Sequence, residues 1–138
     1  MQRTRFAALL FVAIVLISAC PQPGLTADKG KKSVTISASC TAADVTISRT
    51  QSKAEHVRWT TPNGSHFRVT FSGESPCHKS NDPNGNKAIT TYDVPGGHES
   101  DQCFALPTTE TKHYKYSIDN LSSGIPVQCA DPAVIVEN

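Results

Sequence analysis

From residue 33 onward, apolar and polar residues take turns along the chain. In SVTISASC, Val34, Ile36, Ala38 and Cys40 alternate with Thr35, Ser37 and Ser39; in DVTISR, Val45 and Ile47 alternate with Thr46 and Ser48. EHVRWT sets Val57 and Trp59 on one face, HFRVTF sets Phe67, Val69 and Phe71, and YKYSI sets Tyr114, Tyr116 and Ile118. PAVIVE closes the chain with apolar residues on both faces. A period of two is the signature of a strand with one buried and one wet face. Turn-forming clusters separate the runs: Pro62-Asn63-Gly64, Asn81 to Gly85, Pro95-Gly96-Gly97 and Ser122-Ser123-Gly124. No amphipathic helix of useful length and no internal repeat interrupts them. Short strands at regular spacing between Gly and Pro turns predict an all-β domain, an antiparallel β-sandwich or barrel.

Counting strand directions sorts the cysteines. With the first strand pointing up, Cys40 lies at the top. The second strand then runs down, the third up and the fourth down, which puts Cys77 at the bottom after Phe71. The strand from His113 runs up and the last runs down, so Cys129 lies at the top and Cys103 at the bottom. Four cysteines allow three connectivities. A disulfide needs Cα atoms within about 7 Å, so the count selects Cys40–Cys129 and Cys77–Cys103. These are expected to staple the fold and to carry no chemistry.

The N-terminal segment reads differently. MQRTRFAALLFVAIVLISAC has a basic start at Arg3 and Arg5, then an apolar run from Phe6 to Ala19. That run falls short of the roughly 20 residues of a bilayer-spanning helix, and the pattern is that of an export signal over residues 1–19. Ile17-Ser18-Ala19-Cys20 resembles a bacterial lipobox, which predicts lipid on Cys20; cleavage after Leu25-Thr26-Ala27 is the alternative. Either way the fifth cysteine is accounted for, and four remain for an oxidising compartment. Residues 20–32 read as a flexible tether, and residues 33–138 as the folded domain. The expected location is the bacterial cell envelope, lipid-anchored in the periplasm or outer membrane, or else periplasmic or secreted. The formal charge of +1 comes from the export signal, since without Arg3 and Arg5 there remain 11 basic residues against 12 acidic ones. No basic stripe with interleaved aromatics offers a surface to nucleic acid.

VRWTTPNGSHFRVTF, followed by YKYSIDN and ADPAVIVEN, resembles the cupredoxins, the plastocyanin- and azurin-type Greek-key sandwich, across roughly residues 33–138. The resemblance pairs a Val-x-Trp strand, hairpinned to an apolar strand, with a Tyr-x-Tyr strand and a final apolar strand. It implies a copper-binding His near His66 or Phe67, and a Cys and a His around Ile118 and Leu121. Ile118 and Leu121 are not ligands, and the only Met is Met1. A blue-copper site needs a thiolate and two imidazoles, so the resemblance implies a cupredoxin-like exported protein without the copper site.

The remaining chemistry is sparse. His66, His78 and His98 are candidate metal ligands alongside the thiols, set against surface histidines around two disulfides. Asp82, Asn84 and Asn86 faintly echo a calcium loop without its Glu. His98-Glu99-Ser100-Asp101 gathers reactive side chains, but neighbours in sequence rarely converge in space. Asn63 and Asn120 open glycosylation-type triplets that a bacterial chain would not use. No catalytic motif is present, and no cofactor is implied. The expectation is a non-catalytic binding or structural module, with a protein or cell-envelope partner met by loops 73–87 and 93–102. The alternative is a periplasmic protein that handles copper or another metal.

Overall fold

The computed structural model describes residues 30–49, 55–79 and 87–138. The export signal, Cys20, the site after Ala27 and the Asp82 loop lie outside these residues. The described residues form ten strands: β1 Lys31–Thr35, β2 Val45–Ser48, β3 His56–Thr60, β4 His66–Phe71, β5 Cys77–His78, β6 Thr91–Pro95, β7 Cys103–Ala105, β8 Lys112–Asn120, β9 Val127–Ala130 and β10 Ala133–Glu137. There is no helix among the described residues. One sheet has the order β1-β3-β7-β5 and the other β2-β10-β8-β4-β6, with β9 added to β8. The two sheets pack in a sandwich around one apolar core.

The alternation read from sequence is realised where it is longest. Val57, Trp59, Phe67, Val69, Tyr116, Ile118, Val134 and Val136 are all fully buried, so each sheet turns one face inward. Burying side chains of this size stabilises by about 1.5–3 kcal/mol apiece. Aromatic rings bridge the two sheets. Trp59 from β3 meets Tyr116 of β8 edge-on at 5.6 Å and Tyr92 of β6 at 5.1 Å, and Phe71 of β4 closes the group 5.4 Å from Tyr116. Such pairs add about 0.5–1.5 kcal/mol beyond their buried area.

Four features depart from the sequence reading. First, β3 and β4 do not form a hairpin. A short turn joins them, yet they lie in different sheets. From β1 to β8 every strand crosses to the other sheet. β1 pairs β3 in parallel, and β2 pairs β10 in parallel, within otherwise antiparallel sheets.

Second, the fold starts earlier than residue 33. Lys31 and Lys32 were assigned to the tether, but they pair with His56 and Val57 in β1. Their ammonium groups meet Glu99 at 2.8 Å and Glu55 at 3.7 Å. An edge strand with a wet outer face needs no apolar alternation to form.

Third, the first strand does not reach Cys40. The chain turns at residues 37–40, where the Cys40 N–H donates to the Ser37 carbonyl, and Ala38 is exposed. Cys40 has φ 59° there, an uncommon conformation for a residue with a side chain.

Fourth, β6, β7 and β9 are strands that the alternation pattern does not mark. Beyond β9 the chain bends at Asp131-Pro132 and continues as β10 along the same edge of β8, with Tyr116 N–H donating to the Pro132 carbonyl.

Cys40–Cys129 and Cys77–Cys103 are both bridged, with Cα atoms 5.8 and 4.6 Å apart. Disulfides persist in oxidising compartments, so the pair marks an exported chain. No helix among the described residues is long and apolar enough to cross a membrane.

Candidate functional site

A depression of about 560 Å³ opens beside the Cys77–Cys103 bridge. One wall is the segment from Gly73 to His78. The other runs from Leu106 to Glu110, and Lys112 and Tyr114 at the start of β8 lie between. The local sequence explains why these segments hold still. The Ser75 hydroxyl donates to the Ile89 carbonyl at 2.5 Å and accepts the Cys77 N–H at 3.1 Å. Ile89 N–H donates back to the Cys77 carbonyl at 2.7 Å. β5 then pairs with β7, Cys77 opposite Ala105 and His78 opposite Phe104, and the disulfide ties the walls covalently.

The groove presents mixed chemistry. Glu74 and Glu110 supply carboxylates, Lys112 an ammonium, and Thr90, Thr108 and Thr109 hydroxyls. The Thr108 hydroxyl is buried and has no hydrogen-bond partner among the described residues. Tyr114 is half-buried and offers a ring face. This set can hold a polar ligand by hydrogen bonds and one stacking contact.

Behind the groove, the buried phenols are shifted. Burial pushes the Tyr116 hydroxyl up to about 12, with a smaller push from Asp44. The Trp59 indole N–H is close enough to offset a little of that rise, but the two are not aligned as a hydrogen bond. Tyr92 is pushed up further, by burial and then by Asp101, and its hydroxyl donates to the Gln102 carbonyl at 3.4 Å.

The residues singled out from sequence scatter. His66 opens β4 and is exposed; its N–H donates to the Ser122 hydroxyl at 3.0 Å. His98 is exposed in the turn after β6, while His78 lines the groove. Among the described residues no three His, Cys, Asp or Glu side chains are grouped to hold a metal ion.

His66 and Leu121 are neighbours where β4 meets the end of β8. Leu121 N–H donates to the His66 carbonyl at 2.8 Å, and Val69 pairs with Ile118. Phe67 and Ile118 are fully buried apolar side chains there.

His98-Glu99-Ser100-Asp101 proves structural. Glu99 reaches Lys31 and Arg58, and the Ser100 hydroxyl accepts the Trp59 N–H and donates to the Asp101 carbonyl. The segment thereby extends the β3–β7 pairing. Of the two loops expected to carry function, 73–87 contributes a wall and 93–102 is largely β6 and this extension. Residues 106–110 and Tyr114 were missed as site residues. Tyr114 shares a face with Tyr116 and reads as core, but it sits where the sandwich opens.

No protein-family model matches the chain. No curated protein matches it either.

Proposed function

We propose that the chain is an exported, non-catalytic binding module of the bacterial cell envelope, anchored through lipid on Cys20, with the groove beside Cys77–Cys103 as its ligand site. The carrying observation is that covalent bridge between the groove walls, which fixes a polar concavity before any ligand arrives. Preorganisation of this kind removes an ordering cost from binding. The reading includes a cupredoxin-like Greek-key ancestry without the copper site. It is supported by the meeting of His66 with Leu121 and by the apolar filling at Phe67 and Ile118.

The test is photocrosslinking in cells. A benzophenone side chain at Tyr114 should trap an envelope component, and one at Asp93 on the far edge of β6 should not. Equal trapping at both positions overturns the groove as the site. Intact-mass analysis of the exported chain should find a lipid-modified Cys20 at its N-terminus; a chain beginning at Asp28 overturns the anchor.

A further inference from the structure

A second surface stands apart from the groove, at the β8–β9 turn. Residues 120–130 are uncharged from end to end. Two other sheet edges carry guards: Lys31 and Lys32 on β1, Asp93 and Pro95 on β6. Such residues discourage a strand from meeting another copy; β9 has none. The two most exposed large apolar side chains of the described structure lie here, Ile125 at 73% and Val127 at 55%.

Beside them is a mainly apolar hollow of about 410 Å³, lined by Ala38, Cys40, Val127, Cys129 and the turn serines Ser122 and Ser123. The turn that lifts Ile125 is firmly held. Ser122 N–H donates to Asn120 Oδ1 at 2.9 Å, Ser123 Oγ to the Ile125 carbonyl at 3.1 Å, and Gly124 N–H to the Leu121 carbonyl at 3.0 Å. Gly124 sits at φ 78° with open space around it.

We propose that this surface pairs with a second copy of the chain across a two-fold axis, Ile125 of each copy entering the hollow of the other. Two observations favour a second copy over a foreign partner. A two-fold interface must be self-complementary, and here knob and hollow sit side by side on one surface. A segment laid against its own copy brings like charges together, and residues 120–130 carry none. The turn is already held, so little backbone freedom is lost on docking.

The test is equilibrium sedimentation of the exported chain in density-matched detergent, with Ile125→Asp and Val127→Asp alongside. The expected result is a dimer whose dissociation constant barely responds to salt and rises about a hundredfold or more in each variant, since each substitution strikes the interface twice. Melting temperatures at dilutions where all forms are monomeric should coincide, because both side chains are exposed; should one Asp variant unfold, Ile125→Ala gives the same comparison. A monomer at the highest soluble concentration overturns the proposal. So does a dimer indifferent to the variants, or one that salt dissociates.

Discussion

The two disulfides sit in opposite surroundings. Cys77 and Cys103 are both fully buried, between the aromatic core and the groove. Cys40 is buried in its tight turn, but Cys129 lies exposed on β9. Loop length ranks them one way. The bridges span 89 and 26 residues, and chain entropy gives about 4.6 kcal/mol to Cys40–Cys129 and about 3.5 kcal/mol to Cys77–Cys103. Burial ranks them the other way, because replacing the inner pair also damages the core. A staple's worth therefore depends on where its sulfurs lie as well as on how much chain it closes.

The comparison breaks most directly at the inner bridge. Replacing Cys77 and Cys103 together by Ser should destabilise by about 5.5–9.5 kcal/mol, adding two buried hydroxyls at about 1–3 kcal/mol each to the lost constraint. The same change at Cys40 and Cys129 should cost about 5.5–7.5 kcal/mol, the entropic figure plus one buried hydroxyl at position 40, because water reaches position 129. Urea unfolding of the two double variants reads the order. If the outer pair proves the more damaging, chain length governs and burial does not.

Alkaline pH probes the core between the bridges. The folded pKa values of Tyr116 and Tyr92 lie above the ordinary phenol value, so the folded state holds protons that the unfolded chain releases. Their contribution is whole below about pH 10 and is lost as pH rises towards 12 and beyond. Stability should fall by about 2.7 kcal/mol per pH unit in that window while both phenols hold their protons. Urea melts between neutral and strongly alkaline pH measure it, and Tyr92→Phe should halve the slope. The gentlest probe is mild thiol reductant followed by alkylation. Cys40 and Cys129 should be labelled first, with Cys77 and Cys103 still bridged, since exchange requires access to a sulfur.

How much was legible follows from what alternation encodes. It says which side chains share a face, and Val57, Trp59, Phe67, Val69, Tyr116 and Ile118 are buried accordingly. It does not say which sheet a strand joins. The turn at Pro62-Asn63-Gly64 reads as a hairpin, whereas it carries the chain across the sandwich, held by Gly97 N–H donating to the Thr61 carbonyl at 3.0 Å. An added Cβ on Gly97 would run into the Asn63 side chain, so the stacking of two turns depends on glycine. β6 had a signal, Tyr92 and Val94 alternating with Asp93, but Thr91 and Pro95 at its ends shortened it below notice. The groove had none. Glu74, Thr108 and Lys112 come from separate segments, and only the completed β5–β7 pairing makes them neighbours.

The crossing of the chain from sheet to sheet, strand after strand, has a consequence for the order of assembly. Where successive strands do not pair, almost nothing can form from local sequence alone, and folding waits on distant partners. β2 has its partner only when β10 is made, and β1 needs β3. In a chain delivered through a membrane N-terminus first, the earliest strands emerge as open edges with nothing to close them. Cys77 and Cys103 can join midway, whereas Cys40 must wait for Cys129. The domain is thus a knot of late contacts, vulnerable to aggregation until its final residues arrive.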